Sequence, residues 1–181
     1  MPNDSSTTGE GLGDGLFSVA GKVAVVTGGS RGIGAMIARG LVQAGCRVYI
    51  TARKAEACDA KAAELSQYGE CISLPLNLAD PAAAAELVRQ LTGSEDRLHI
   101  LVNNAGANWG APLEEYPLDA FDKLWDINIK ALFHLTVLSL PLLRAAATAD
   151  DPARVINIGS IDGLRVSPCR LTRPARPACT T

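Results

Sequence analysis

Short apolar runs alternate with longer amphipathic segments along the chain from residue 22 to residue 158. The short runs are rich in valine, isoleucine and leucine, as expected of strands that are buried on both faces. We predict such strands at 22–27, 47–51, 71–76, 98–103 and 154–158. The longer segments have helical composition and end signals, and they predict helices at 33–44, 56–68, from Asp80 onward and at 118–147. This alternation predicts a doubly wound α/β fold, with a parallel sheet between two layers of helices.

The two ends of the chain do not share this pattern. Residues 1–20 are rich in glycine, serine, threonine and acidic residues, which predicts a disordered extension. Residues 21–163 carry the strands and helices and are predicted to form one α/β domain. Residues 164–181 contain three prolines, four arginines and no acidic residue, and predict an irregular, disordered tail. No sixth strand follows, so the predicted sheet is incomplete at its C-terminal side.

Composition excludes several classes of function. The chain has 17 basic and 19 acidic residues, so it shows no nucleic-acid footprint and no polybasic membrane patch. The longest apolar stretch, at 131–143, is interrupted by polar residues and is shorter than a membrane span. The five cysteines form no CxxC pair and there are only two histidines, so we expect reduced thiols and no metal site. The absence of a basic, apolar leader indicates a cytoplasmic protein.

The sharpest motif is the segment Thr27–Gly34, which reads TGGSRGIG and lies between the first strand and the first helix. Glycines let the backbone turn tightly and approach a pyrophosphate, and the following helix presents unpaired N–H groups to the anion. A turn that only joins strand to helix is the alternative interpretation. The order of strand, glycine turn and helix favours dinucleotide binding.

The second strand ends in Thr51-Ala52-Arg53-Lys54, with no acidic residue before Glu56. An acid at this position would bind the ribose hydroxyls of NAD, whereas an arginine accommodates the 2′-phosphate of NADP. We therefore predict that Arg53, assisted by Arg31, selects NADP(H). The alternative is that Arg53 is a solvated residue at the start of a helix.

Polar residues also follow the fourth and fifth strands, and one lies inside the long helix. Asn103-Asn104-Ala105-Gly106 can line a cofactor cleft, although such residues also form ordinary turns. Asn128 is flanked by isoleucines and needs a partner, either structural or functional. Ser160 is predicted to face the same cleft. It lacks the GxSxG pattern of a hydrolase nucleophile, and no histidine follows it to act as a base.

Together, TGGSRGIG, the Asn-Asn-Ala-Gly segment, Asn128 and Ser160 resemble the short-chain dehydrogenase/reductase family over residues 20–163. The resemblance implies a Rossmann-type fold, NADP(H), hydride transfer to a small carbonyl or from an alcohol, and a homo-oligomer. Carbonyl reductases of the 3-oxoacyl-thioester type are the most similar subgroup. By position, the family's pyrophosphate, 2′-phosphate and adenine contacts, together with its cofactor-lining residues, fall on Gly28, Ser30, Arg31, Gly32, Ile33, Gly34, Arg53, Asn77, Leu78, Asn104, Ala105 and Gly106. The resemblance also implies that Asn128 anchors a water relay and that Ser160 orients the substrate oxygen.

The sequence departs from the family in two places. Asn77 stands where the family has an aspartate beside the adenine. More seriously, the family's catalytic tyrosine and lysine are missing, since no tyrosine follows Tyr116 and no lysine follows Lys130. A nearby lysine lowers the pKa of the tyrosine and so prepares it for proton transfer. We therefore expect the 181-residue chain to lack reductase activity.

One codon choice for residues 168–181, read from its third base, translates as VPTYSASKAGLHH. This restores the tyrosine and lysine, with the tyrosine twelve positions after Ser160, and we interpret the tail as an out-of-frame continuation of a family gene. A chain that binds NADP(H) without catalysis, or that does not fold properly, is the alternative. A Rossmann-type methyltransferase or nucleotide-sugar enzyme is disfavoured, because it would lack the spacing of Asn128 and Ser160.

Overall fold

The computed structural model describes residues 17–160, apart from the side chain of Leu113. Most of the predicted N-terminal extension and the whole predicted tail over 164–181 therefore lie outside the described residues. Of the predicted extension, residues 17–20 are described, and they contact the domain. The carbonyl of Val19 accepts hydrogen bonds from the Lys22 amide at 3.1 Å and from the Cys46 thiol at 3.1 Å.

The predicted alternation of strands and helices is confirmed. The strands are β1 (Val23–Val26), β2 (Arg47–Ile50), β3 (Cys71–Ser73), β4 (Ile100–Asn103) and β5 (Arg154–Asn157). The helices are α1 (Gly32–Gln43), α2 (Ala55–Leu65), α3 (Ala83–Thr92), α4 (Leu118–Trp125) and α5 (Ala131–Ala146). A 3-10 turn at Leu113–Glu115 precedes α4, and a π-helical turn at Asp126–Lys130 joins α4 to α5.

The five strands form one parallel sheet in the order β3-β2-β1-β4-β5. The chain runs outward from β1 to β3, then returns to place β4 on the other side of β1. This reversal leaves a crevice between the loops that follow β1 and β4. In doubly wound sheets, ligands bind at this crevice, beyond the carboxyl ends of the strands.

Alternate residues of the strands supply two apolar cores. On one face, Val23 and Val25 of β1 pack in a cluster with residues of α3 and α5, including Leu87 and Leu135. On the other face, strand residues pack with residues of α1 and α2, including Val42. Burial of both faces explains why the central strands read as continuous apolar runs.

Several boundaries differ from the predictions by a few residues. Strand β3 is shorter than predicted, although the amides of Leu74 and Leu76 still bond to the carbonyls of Ile50 and Ala52. Helix α3 begins at Ala83 rather than at Asp80, because the Asp80 carboxylate accepts a hydrogen bond from the Ala82 amide and forms a turn before the helix. The single long helix predicted at 118–147 contains the π turn.

The helical run from Leu118 to Ala146 is longer than the apolar stretch noted in the sequence. By length and composition it is sufficient to cross a membrane, and 28% of its most apolar window is buried in the domain. One face, including Leu135 and Leu142, belongs to the core beside α3. The opposite face exposes Phe133 and Val137. A core helix with further apolar residues on its outer face accounts for this composition.

Candidate functional site

The glycine turn leaves β1 and opens directly into α1. Gly28 and Gly32 have φ values of 67° and 56°, a left-handed conformation that favours glycine. No side chain caps the first turn of α1, so its amides have no side-chain acceptor from the Arg31 cap position. This arrangement suits a pyrophosphate, which would accept hydrogen bonds from the helix amides and benefit from the helix dipole.

Gly34 has a different role from Gly32. A Cβ atom on Gly34 would lie 2.3 Å from the Gly28 carbonyl oxygen and 2.4 Å from the Asn104 amide nitrogen, which is too close for real atoms. A Cβ on Gly32 would meet nothing within 4 Å. Gly34 therefore lets α1 pack against the turn, while Gly32 leaves open space beside the helix N-terminus. Ser30 is half-buried and Ile33 is exposed at the same end of the helix.

Thr27, at the start of the turn, joins it to the loop after β4. Its buried hydroxyl donates to the Val102 carbonyl at 3.2 Å and accepts from the amides of Asn104 and Ala105, both at 2.9 Å. The Asn104 side chain donates in return to the carbonyls of Thr27 and Gly28, at 2.9 and 3.3 Å. The loops that flank the crevice are therefore held together by the side chains of Thr27 and Asn104.

Asn128 lies in the π turn and is 7% exposed. Its side-chain oxygen accepts from the Ala107 amide at 3.0 Å, and its nitrogen donates to the Ala107 carbonyl at 2.9 Å. The predicted need for a partner is thus met by the loop that follows Gly106. These contacts tie the long helix to the carboxyl end of β4.

Arg53 follows β2 by three residues and is exposed. Arg31, at the cap of α1, is exposed as well. Neither arginine forms an ion pair with any residue in the described range 17–160. Both guanidinium groups are accordingly available to an anionic ligand at this edge of the sheet.

The remaining predicted residues are less closely grouped. Asn77 is exposed, and its side-chain oxygen lies 3.4 Å from the Ala79 amide. The Leu78 side chain is buried in the core beside α3, so only its backbone can reach a ligand. Gly106 is exposed on the loop after β4. Ser160 is half-buried, three residues beyond the end of β5, and is the last described residue.

One feature of this region, the Thr27 hydroxyl, was not identified as a site group from the sequence. Asn103 was predicted only as part of the segment 103–106 that can line the cleft, and its partners were not predicted. Its side chain donates to the hydroxyl of Thr136 and the side-chain oxygen of Asn157. The available signal was a polar residue at each strand end, but its partners are distant in the sequence and appear only in the fold.

Within residues 17–160, no group of three or more histidine, cysteine or acidic residues could hold a metal ion. The described cysteines, Cys46, Cys58 and Cys71, are buried free thiols. Burial raises the pKa of the Cys46 and Cys71 thiols to about 11, so both remain protonated at neutral pH. These thiols are therefore unsuited to nucleophilic chemistry.

A groove of about 530 Å³ lies away from the crevice, between β2, β3 and α3. Its wall includes Arg47, which forms ion pairs with Glu70 and Glu95, and Tyr49, whose hydroxyl donates to Glu95 at 2.7 Å. Burial, followed by the hydrogen bond to Glu95, raises the pKa of Tyr49. These polar groups of the groove are bonded to one another, whereas Arg31 and Arg53 form no ion pair within residues 17–160.

The profile of short chain dehydrogenases matches residues 22–172. The chain belongs to the short-chain dehydrogenase/reductase family. It is 53% identical over 148 residues to a rhamnolipid-biosynthesis 3-oxoacyl-[acyl-carrier-protein] reductase from Pseudomonas aeruginosa, covering 82% of this chain and 58% of that protein. It is 35% identical over 150 residues to a D-beta-hydroxybutyrate dehydrogenase from Cupriavidus necator, covering 81% of this chain and 56% of that protein.

Solved structures of this family share the fold. The active-site complex of Pseudomonas aeruginosa RhlG with NADP superposes with a TM-score of 0.81 at 51% identity, covering 84% of this chain and 59% of that chain. A metagenomic short-chain oxidoreductase in complex with NADP gives a TM-score of 0.76 at 38% identity, covering 83% of this chain and 67% of that chain. The predicted Rossmann-type fold is confirmed. The chain spans less than three-fifths of the length of each of the two curated relatives described above.

Proposed function

We propose that this chain provides the cofactor-binding part of an NADP(H)-dependent oxidoreductase that transfers hydride between nicotinamide and a carbonyl or alcohol. The observation that carries the proposal is Arg53 beyond β2, which forms no ion pair with any residue of the described range and lies beside a glycine turn that opens onto a helix N-terminus. An arginine at this place can bind the 2′-phosphate that distinguishes NADP from NAD. Two related proteins of known structure contain NADP, which supports the same cofactor here.

Different residues would bind different parts of the dinucleotide. The turn around Gly32 and the first amides of α1 would receive the pyrophosphate, and Arg53, with Arg31, would neutralise the 2′-phosphate. The backbone at Asn77 and Leu78 would flank the adenine. The residues proposed to cradle or line the cofactor are Gly28, Ser30, Arg31, Gly32, Ile33, Gly34, Arg53, Asn77, Leu78, Asn104, Ala105 and Gly106. When bound, the nicotinamide supplies or accepts the hydride.

Two further residues would act on the substrate side. Ser160 would donate a hydrogen bond to the substrate oxygen, and Asn128 would anchor a water chain for the proton. Asn128 already fixes the loop at Ala107 through two hydrogen bonds, so its position relative to β4 is set before any ligand binds. We propose a 3-oxoacyl thioester as the substrate class, on the strength of the relative that is 53% identical.

The proposed cofactor preference is tested by titrating NADPH and NADH into wild type and Arg53→Ala. Loss of a charged hydrogen bond should weaken NADPH binding about 10- to 100-fold and leave NADH binding unchanged. Arg39→Ala is a matched control. Arg39 is also an exposed arginine, but its guanidinium lies over the Tyr68 ring at 4.9 Å and is not among the groups proposed to bind the cofactor. Equal wild-type affinities for the two cofactors, or an unchanged NADPH affinity in Arg53→Ala, would refute the assignment.

A second candidate function is NADP(H) binding without turnover. It is favoured by the absence of any tyrosine after Tyr116 and any lysine after Lys130 in the sequence. A general acid or base contributes about 10²–10⁴-fold to a rate, so the 181-residue polypeptide should bind NADPH but not oxidise it with ketones or 3-oxoacyl thioesters. A polypeptide in which the alternative reading frame restores the tyrosine and lysine, at the length of the relatives, is the comparison. Turnover by the 181-residue form at the rate of the restored form would refute this candidate.

We also propose that the outer face of α4 and α5 is an interface between subunits. This face exposes Phe121, Trp125, Phe133 and Val137, and the π turn keeps the residues on both sides of it in line. Members of the family commonly form homo-oligomers. Sedimentation should show a lower association state for Phe133→Ser than for wild type, and an unchanged state would refute the interface.

We propose a cytoplasmic location, which the buried free thiols of Cys46, Cys58 and Cys71 support.

A further inference from the structure

The end of β4 carries two consecutive asparagines whose side chains bond in opposite directions along the sheet. Asn104 bonds to Thr27 and Gly28, on the β1 side. Asn103 bonds to Asn157, its direct register partner on β5, at 2.9 Å and to Thr136 of α5 at 3.1 Å. We call Asn103, Asn157 and Thr136 the amide bridge.

The amide bridge places a polar side chain in a buried, apolar part of the sheet. Asn103 is 3% exposed and ends a strand whose other residues are all buried and apolar. An amide in such surroundings is destabilising unless its hydrogen bonds are made. Both protons of the Asn103 amide nitrogen are used in the bridge, one toward Asn157 and one toward Thr136. The Thr136 hydroxyl in turn donates to the Leu132 carbonyl at 2.8 Å.

The bridge lies immediately before two segments of the proposed site. Residues 104–106 follow Asn103 directly, and Ser160 lies three residues after Asn157. Thr136 belongs to the helix that continues from the π turn of Asn128. The backbone adds to the link, since the Ile158 amide donates to the Asn103 carbonyl at 3.0 Å. The bridge thus fixes β4, β5 and the long helix relative to one another at the carboxyl edge.

The position of the bridge determines which half of a dinucleotide it can influence. Arg53 and the glycine turn belong to the β1–β2 side of the crevice, so they would hold the adenosine half with its 2′-phosphate. The other half would then extend across the reversal point toward β4 and β5. The bridge is on that second side and is separated from Arg53 by β1.

We infer that Asn103 is a positioning residue for the nicotinamide half of the cofactor, acting through Asn157 and Thr136. This inference rests on the proposed function. Loss of the bridge should loosen the loops that contact the nicotinamide and leave the adenosine side intact. A role in stability alone would affect both halves equally.

The test compares NADPH with 2′,5′-ADP, which carries the adenosine and the 2′-phosphate but no nicotinamide. Thr136→Val and Asn157→Leu each remove one partner of the Asn103 amide. Each should weaken NADPH binding about 5-fold, the effect of one hydrogen bond, without changing the affinity for 2′,5′-ADP. The emission of bound NADPH, which arises from the reduced nicotinamide ring, should shift as well. Thr136→Ser keeps the hydroxyl that accepts from the Asn103 amide and should bind both ligands as wild type does.

Parallel losses for both ligands, in step with a lower melting temperature, would show that the bridge is only structural and would overturn the inference. Unchanged NADPH affinity and emission in Thr136→Val and Asn157→Leu would overturn it too. If wild type binds 2′,5′-ADP as tightly as NADPH, the nicotinamide half contributes nothing to binding, and the inference is overturned. If wild type binds neither ligand, the proposed function fails and the inference fails with it.

Discussion

Replacement of Thr27 by valine tests the link between the loops on either side of the crevice. Valine has nearly the same shape as threonine, so the substitution removes the hydroxyl and leaves the packing of the buried position in place. The amides of Asn104 and Ala105 lose an acceptor at 2.9 Å, and the Val102 carbonyl loses a donor at 3.2 Å. That carbonyl keeps its bond from the Thr27 amide at 3.0 Å.

The size of the effect follows from these contacts. A typical hydrogen bond contributes about 0.5–1.5 kcal/mol, so the loss of three bonds should lower the free energy of unfolding by about 3 kcal/mol. For a chain of this length, the melting temperature should fall by about 6–12 °C. Binding of NADPH should weaken as well, because the 104–106 loop then keeps only the bonds from the Asn104 side chain to the Thr27 and Gly28 carbonyls.

The assay is thermal unfolding followed by circular dichroism, with NADPH titration on the same samples. Thr51→Val is the matched control. Thr51 is equally buried, but its hydroxyl accepts a single bond, from the Gly28 amide at 3.4 Å, so the loss should be about 0.5 kcal/mol. If Thr27→Val and Thr51→Val have the same melting temperature, the three hydrogen bonds of Thr27 contribute no more stability than the single bond of Thr51. The role assigned to Thr27 would then be wrong.

Two further predictions concern the glycine turn and the amino edge of the sheet. Gly32→Ala should lower the free energy of unfolding by about 1–2 kcal/mol, because Gly32 has a left-handed φ. Gly40 lies in a helix with open space around it, so Gly40→Ala should raise the free energy of unfolding by up to about 1 kcal/mol. Equal effects of the two substitutions in urea unfolding would contradict the turn geometry. His99 accepts a hydrogen bond from the Val23 amide on Nδ1 at 3.0 Å, and burial, followed by the charge of Lys22, lowers its pKa. The folded state favours neutral His99, so stability should be full above pH 6.5 and decline as pH falls through that value. His99→Gln should flatten this decline and exposed His134→Gln should not; an identical pH profile for His99→Gln and wild type would contradict the assignment.

The fold was predictable because the central strands are buried on both faces and therefore appear as continuous apolar runs. The π turn was not predictable, since one inserted residue in a 29-residue helical run changes the spacing too little to stand out from the sequence. In the candidate site, the glycine turn and Arg53 could be proposed from the sequence because their chemistry is local. The Thr27 hydroxyl was not proposed, and the partners of Asn103 were not predicted, because these contacts join residues 77 and 54 positions apart that meet only once the sheet has formed.

The residues proposed for cofactor binding and those proposed for the substrate side are separated along this chain, and the separation follows from the topology. Every group proposed to hold the adenosine and the pyrophosphate precedes residue 107, and these groups follow β1, β2, β3 and β4. Two contacts that fix the central groups, Thr27 to Asn104 and Gly34 to Gly28, involve no residue beyond Asn104. Ser160, by contrast, depends on β5, which is paired on one side only within residues 17–160 and exposes both Val155 and Ile156. Affinity for 2′,5′-ADP therefore measures the first part of the site, and turnover measures the part that begins at β5.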